Sequence, residues 1–378
     1  MTVPPRRVLY VFANAHLGGA ENITLLMLRS HSPTRYLAQA LFLQQGPLVS
    51  EATRLGFTVH SVPGRLRLRH PRTVAQAIST VTKVIEGERI DLVHFCMPYA
   101  HIIAAVAAWR RQIPAVMFQH GPVGGSLNLV ASLLPTRLVL TNSAYTLSKQ
   151  AKTQLRPWPM RVIPLATELT QIPPQADQVH QDHLVVTMLS RLAPGKGLDF
   201  AIEALAPLMQ RDQRLRLVIV GGPFRHFFPR YQEQLQLLAD AHKVGGQVHF
   251  AGFQRDIRPY LARTDILLSA SFEEAFGLTL IEGLAAGVAV ISSRVGGAAE
   301  VLEDGVDGLY FSSGDGADLR RQVERLHHEP GLRARLSAAG LRTVEARYRP
   351  RVMMEHLEGC YDEAMSRQAP EIPVRTAL

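Results

Sequence analysis

Two doubly wound α/β domains in one chain are the fold this 378-residue sequence predicts. Three observations carry the prediction. Short apolar runs of strand length alternate with helical stretches of ten or more residues throughout, the mark of parallel sheets with helices on both faces. The alternation stops and restarts around TQIPPQADQVHQDH (170–183), polar and without apolar period. The length exceeds what one ordinary core takes. The expected organisation is a first domain over 1–172, a linker over 173–183, a second domain over 184–349, and a terminal helix and tail over 350–378 that crosses back to the first domain. Two such domains facing across a cleft would present the carboxyl ends of their strands to it, where open α/β sheets bind ligands.

Taken in order, RVLYVFA reads as a strand, followed by a Gly-rich turn and the helix ENITLLMLRSH. Val74, Ile78, Val81 and Ile85 repeat at helical spacing, one face of a helix. IDLVHFC is a strand, AHIIAAVAAWRR a helix and PAVMFQ the next strand. After the polar stretch come LVVTMLS, the helix LDFAIEALAPLMQ, LRLVIVG, a helix near 230–243, and the strands VHFAG, DILLSAS and VAVISS. Near the end, Val352, Met353, His356, Leu357, Cys360 and Tyr361 share a helical face.

Composition narrows the class. The chain is 47% hydrophobic and 19% charged, a packed protein rather than a disordered one. Its two cysteines, Cys96 and Cys360, point to a reducing compartment and no disulfide framework. The basic start PPRRVLYVFANAHLGG is interrupted by Asn14 and His16 and reads as a first strand, not a signal peptide. HIIAAVAAW, the longest uncharged apolar stretch, falls short of the ~18 residues that span a bilayer. The net charge of +9 is uneven: residues 1–182 hold 18 Lys and Arg against 8 Asp and Glu, and the remainder holds 23 against 24. A basic half points to an anionic partner.

Familiar nucleotide motifs are absent. The first turn, NAHLGGAEN, is not G-x-G-x-x-G, and RLAPGKGL lacks the first glycine and the final Ser/Thr of a P-loop. No Asp-x-Asp, Cys-x-x-Cys or His-Glu-x-x-His appears, so no metal is expected.

The chemistry concentrates in SFEEAFGLTLIEGLAAGVAVISS (271–293). GLTLIEGLAAG reads as a helix closed by Gly287, between two strands. Gly277 then stands at the helix N-terminus, where free N–H groups and the dipole favour a phosphate and a side chain would block approach. Glu274 and Glu282, eight residues apart, flank that position. Carboxylates would repel phosphates but accept hydrogen bonds from hydroxyl groups on either side of a diphosphate. Arg191 and Lys196, five residues apart on SRLAPGKG after a strand, suit a diphosphate clamp. His120 follows a strand of the first domain, and Gly18-Gly19 in the first turn either admits a ligand to the backbone or only makes the turn.

With these residues named, the chain resembles family 4 of the retaining glycosyltransferases, whose architecture is GT-B. The family's pattern occurs in order as GGAEN (18–22), HGP (120–122), TNSAY (141–145), VIPLATE (162–168), SRLAPGKG (190–197), VGGP (220–223), AGFQRDI (251–257), EAFGLTLIE (274–282) and VGGAAEVL (295–302). The resemblance implies a nucleotide-diphosphate sugar donor, UDP- or GDP-linked. Arg191 and Lys196 would bind the diphosphate with the N–H groups of Leu278 and Thr279 after Phe276-Gly277. Glu274 would hold hydroxyls of the transferred sugar and Glu282 the ribose. His120 would lie near the reacting carbon, and Gly18 and Gly19 would face donor and acceptor. The backbone around Phe253 to Ile257, with Arg255, would receive the base, and Gly222 would belong to the donor site. It further implies retention of configuration without a metal or an enzyme nucleophile. The family commonly has Asn-Gly-Val where this chain has Leu165-Ala166-Thr167, and no donor contact is assigned there.

The expected acceptor is a glycan or a lipid-linked molecule in cell-surface polysaccharide or glycolipid synthesis. GRLRLRHPR (64–72) places Arg65, Arg67, Arg69 and Arg72 before a helix, either as a charged edge strand or as a site for an anionic membrane surface. The expected location is cytoplasmic, peripheral on the inner face of the membrane. Nucleic acid is not expected, since no aromatic platform accompanies the charge. The alternatives are a non-catalytic nucleotide-sugar-binding or membrane-docked scaffold of the same fold, and another GT-B enzyme such as an epimerase or phosphorylase.

Overall fold

The computed structural model describes residues 4–16, 18–64, 66–173, 183–223 and 228–366. It divides into two compact units, Met1–Leu165 with Pro350–Leu378, and Ala166–Arg349.

In unit 1 the strands β1 (Arg6–Phe12), β2 (Tyr36–Phe42), β3 (Val59–Ser61), β4 (Leu92–Cys96), β5 (Ala115–Gln119), β6 (Leu138–Thr141) and β7 (Met160–Val162) alternate with helices. These are α1 (Gly19–Ser30), α2 (Pro47–Arg54), α3 (Pro71–Gly87), α4 (Met97–Arg110), α5 (Gly125–Leu133) and α6 (Ala144–Thr153). The strands pair in parallel in the order β3-β2-β1-β4-β5-β6-β7. Val8, Leu9, Tyr10 and Val11 are all fully buried, because helices cover both faces and a central strand needs apolar side chains on each. On α3 the expected face is the one that packs: Val81 and Ile85 lie in the core, with Val74 and Ile78 against it. The strand order reverses between β1 and β4, the switch point at which open α/β sheets take their ligands.

Unit 2 repeats the plan. Its strands are β8 (Leu184–Leu189), β9 (Leu215–Val220), β10 (Val248–Gly252), β11 (Ile266–Ser269), β12 (Ala289–Ser293) and β13 (Leu309–Phe311). Its helices are α7 (Leu198–Arg211), α8 (Tyr231–Ala241), α9 (Arg258–Leu261), α10 (Leu278–Ala286), α11 (Gly316–His328) and α12 (Pro330–Arg347). The parallel order is β10-β9-β8-β11-β12-β13, with its switch between β8 and β11. The amphipathic α7 lays Leu198, Ile202, Leu205 and Met209 onto β8 and β9, in one core with α11.

The final helix α13 (Pro350–Ser366) groups with unit 1. Glu358 accepts from Ser32 N at 3.1 Å and bonds His31 at 3.0 Å and Arg35 at 2.8 Å. Tyr361 donates to Tyr10 at 2.8 Å and its hydroxyl lies 2.6 Å from His94 Nδ1.

The boundary between the units falls earlier than the polar stretch suggested. Thr167 N donates to Tyr348 O at 2.9 Å and Ile172 N to Ala286 O at 3.2 Å, so 166–172 pack with unit 2 rather than closing the first domain. Of the expected linker, 174–182 lie outside the described residues. Cys96 and Cys360 are free and buried.

Candidate functional site

In unit 2 the chemistry-bearing loops meet at the switch point. The loop after β8 ends in a single 3-10 turn, Pro194–Lys196, and Gly197 turns it into α7 with φ 65°. A Cβ on Gly197 would stand 2.1 Å from Ala270 O, just past β11, so only glycine lets the two loops touch. Phe272 N then donates to Gly195 O at 3.0 Å. That approach delivers Lys196 Nζ to Glu274 Oε2 at 2.5 Å, both side chains about four-fifths buried. The sequence reading gave these residues separate partners and missed the ion pair between them. Glu274 is held by its own backbone as well, since Gly297 N donates to Glu274 O at 2.8 Å.

Gly277 occupies the N-cap of α10 at φ 109°, a conformation costly for any other residue. The first N–H groups of a helix, here those of Leu278 and Thr279, have no acceptor within the helix. One turn on, Glu282 is half-buried and has no hydrogen-bond or ion-pair partner among the described residues. Crowding by the surrounding chain pushes its carboxyl up to about 7.

The remaining unit 2 positions are mixed. Leu192 N donates to Gly222 O and Gly221 N to Gly252 O, which ties the ends of β8, β9 and β10 together. A Cβ on Gly222 would meet Phe253 Cβ at 3.0 Å, and the Phe253 ring itself is 62% exposed. Arg255 is exposed. Arg191 stands on the loop after β8. The Phe276 ring is buried edge-on to Tyr348, so its side chain packs in the core.

In unit 1, His120 follows β5 and is buried, its ring stacked 4.0 Å from that of Phe118. Burial pushes its pKa down to about 3, so the imidazole is neutral at physiological pH. Its Nε2 lies 3.5 Å from Thr24 Oγ1, its Nδ1 has no partner among the described residues, and Asn142 Nδ2 donates to its carbonyl at 2.7 Å. A small pocket lies between Phe12, Glu21, Thr24, Cys96, Met97 and His120, at the β1/β4 switch. Gly18 caps α1 in extended conformation, and a Cβ there would meet Glu21 Oε2 at 2.6 Å. Glu21 in turn accepts from Asn14 at 2.6 Å. Glu21, Thr24 and Met97 were not singled out in the sequence. Met97 has φ 75°, an unusual backbone for a non-glycine residue and of the kind that gathers at functional sites. Its position directly after β4 was the available signal.

The arginine segment is not an edge strand. Leu66 is buried and Leu68 packs against the core, while His70 N bonds back to Arg67 O and turns the chain into α3 at Pro71. Arg67, Arg69 and Arg72 project outward, exposed; Arg65 lies outside the described residues. Among the described residues no three His, Cys, Asp or Glu side chains gather as metal ligands, and no helix is long and apolar enough to cross a membrane.

Comparison with known proteins places this geometry. The family model for glycosyl transferases group 1 matches residues 174–343, and that for glycosyltransferase family 4 matches 17–171. The chain is 30% identical to the putative glycosyltransferase EpsD of Bacillus subtilis over 50% of its length and 48% of that protein's. It is 32% identical to the lipopolysaccharide core biosynthesis glycosyltransferase LpsE of Rhizobium meliloti, over 44% and 46% respectively. The match thus spans about half the length of these curated relatives. Among solved structures, Anabaena HepE in complex with UDP and glucose superposes with a TM-score of 0.80 at 20% identity, covering 94% of this chain and 99% of that one. From its two parallel-sheet domains and these matches, the chain belongs to family 4 of the glycosyltransferases and has their GT-B fold.

Proposed function

We propose that the protein is a retaining, metal-independent glycosyltransferase that moves a hexosyl-type sugar from a UDP- or GDP-sugar to a glycan or lipid-linked acceptor. The observation that carries this reading is the loop crossing of unit 2, where Gly197 admits Ala270 and Lys196 pairs with Glu274 ahead of the Gly277 N-cap, with Glu282 one turn further on. HepE, which has the same fold, was solved with UDP, with UDP and glucose, and with UDP-glucose, which supports a nucleotide sugar as donor.

In unit 2 the diphosphate takes Lys196 and Arg191 together with the N–H groups of Leu278 and Thr279. Two cations and a helix N-terminus stabilise the negative charge that develops on the leaving diphosphate, the part a divalent metal plays in other transferases. As Lys196 turns to phosphate, Glu274 is released to accept hydroxyl protons of the sugar. Glu282 accepts from the ribose hydroxyls, which lowers its pKa again. The backbone around Phe253 to Ile257, with Arg255, receives the base, and Gly222 belongs to the donor site. In unit 1, neutral His120 offers an uncharged hydrogen bond to the sugar and neither repels an oxocarbenium-like centre nor titrates near pH 7, and Gly18 and Gly19 leave backbone room for donor and acceptor. The acceptor's nucleophile attacks on the face the leaving group departs from, so no enzyme nucleophile is required. The exposed Arg67, Arg69 and Arg72 are suited to an anionic membrane surface, with the enzyme cytoplasmic and peripheral.

A thermal-shift screen of UDP, GDP and ADP and their sugar conjugates, with and without EDTA, tests the donor site. A ligand at 100 times its dissociation constant adds about 2.7 kcal/mol. Stabilisation by one nucleotide family, insensitive to EDTA and weakened by Glu282→Ala, is the expected result. No stabilisation by any of them would leave a scaffold with a transferase's fold.

A further inference from the structure

The polarity of α5 is inside out. Its buried side chains are Asn128, Ala131 and Ser132, whereas Leu127, Leu129, Val130 and Leu133 are 41–45% exposed. A helix on a water-facing surface shows the reverse arrangement. The inward polar groups are satisfied: Asn128 Nδ2 donates to Gln119 Oε1 at 3.1 Å, and Ser132 Oγ accepts from Leu155 N at 3.2 Å. Trp158 Nε1 adds a bond to Ser132 O at 3.0 Å. Hydrogen bonds therefore anchor the helix, and its leucines are left facing out. Leu155, joined to Ser132, is 55% exposed.

The sequence around this helix is basic. From residue 92 to 167 the chain has seven Lys and Arg and no Asp or Glu. Lys149 and Lys152 are exposed on α6, which packs on α5, and the Arg156 guanidinium stands 5.9 Å from the Trp158 ring.

We propose that α5 and Leu155 form a docking surface for an anionic lipid bilayer, the apolar side chains entering the acyl boundary while Lys149, Lys152 and Arg156 meet headgroup phosphates. An apolar face rimmed by Lys and Arg is the composition that holds a helix in the bilayer interface. A second copy of the chain fits worse, because two basic faces repel. Gln119, which holds Asn128, also donates to Gly121 O and Pro122 O, so the same hydrogen bonds that seat α5 fix the loop beginning at His120. Docking here brings that loop to the membrane, where a lipid-linked acceptor lies; this last step rests on the transferase reading, whereas lipid binding does not.

Flotation of the full chain with vesicles of phosphatidylcholine, alone or mixed with phosphatidylglycerol, tests the surface. Wild type is expected to bind the mixed vesicles only, and less as salt rises. Leu129→Ser with Leu133→Ser should weaken that binding by about tenfold or more at an unchanged melting temperature, since both side chains are exposed. Lys149→Ser with Lys152→Ser should weaken it independently. Wild type binding neither vesicle, or binding lost only in the Arg67→Ser, Arg69→Ser, Arg72→Ser variant, would overturn the proposal. So would a dimer in sedimentation that the leucine changes dissociate. Nucleotide-sugar stabilisation measured on the same proteins reads the donor site separately, so its failure beside intact flotation would strike only the transferase reading.

Discussion

At the switch point of unit 1 a buried neutral His120 stands with a single carboxylate, Glu21, whereas at that of unit 2 opposite charges are brought into contact. In unit 1, His94, His101 and His120 are all held below the usual histidine range by burial. In unit 2, Lys196 grips Glu274 and Glu282 is pushed upward. The same parallel-sheet topology thus carries one site dominated by buried neutral groups and another built on an ion pair. What differs is the loops after the strands, not the sheet.

The largest effect that would break this contrast concerns glycine. Gly197→Ala should destabilise unit 2 by about 2–4 kcal/mol in calorimetry, because its Cβ would strike the Ala270 carbonyl from a positive-φ backbone. Gly18→Ala in unit 1 should cost under about 1.5 kcal/mol, since only the mobile end of Glu21 is in the way. Comparable losses would mean that the two turns are equally constrained. Glu358→Ala should weaken unit 1 by about 1–3 kcal/mol, removing the carboxylate that His31 and Ser32 N bond while Arg35 keeps Asp362; a melting temperature unchanged for unit 1 would show that apolar packing alone holds the helix.

Acid separates the units next. Each buried histidine has a folded pKa below its unfolded value of about 6.5, so the unfolded chain binds more protons and unit 1 loses stability as pH falls below about 6.5. Glu282 works in the opposite sense: its folded pKa is raised, so its contribution is lost as pH rises from about 4.5 through 7. Melting followed from pH 5 to 8 should therefore show unit 1 gaining and unit 2 losing with pH, and Glu282→Gln should remove the second trend. The smallest effect sharpens the ion pair. Glu274→Gln frees Lys196, so a nucleoside diphosphate should bind as tightly or up to several-fold tighter, while the nucleotide sugar binds about tenfold weaker. Equal changes for both ligands would show that Glu274 does not touch the sugar.

Much of the fold was legible because strand and helix periods survive in the sequence wherever an element packs on a core. Gly277 and Gly287 were readable as helix ends for the same local reason, and both adopt left-handed backbone. Features set by distant contacts were not. The Lys196–Glu274 pair exists because Gly197 admits Ala270, and nothing within either loop announces the other. The unit boundary was misplaced because proline and polarity resemble a linker, whereas the deciding bond runs from Thr167 to Tyr348 across the sequence. Alternating Arg and Leu looked like a strand, but Pro71 opens α3 and folds 66–70 into a turn. The inverted face of α5 escaped notice because Asn128 and Ser132 are buried only by virtue of Gln119 and Leu155.

Calorimetric titration of UDP- and GDP-sugars across pH 5.5–8 would test the central claim most directly, on wild type and Glu282→Gln. A nucleotide sugar's diphosphate does not titrate in this range, so a pH dependence reports the protein. If Glu282 accepts from the ribose, binding to wild type tightens as pH rises towards about 7 and then levels, and the variant binds more weakly with no such slope. Binding that is identical in the two proteins at every pH, or absent from both, would contradict the donor site.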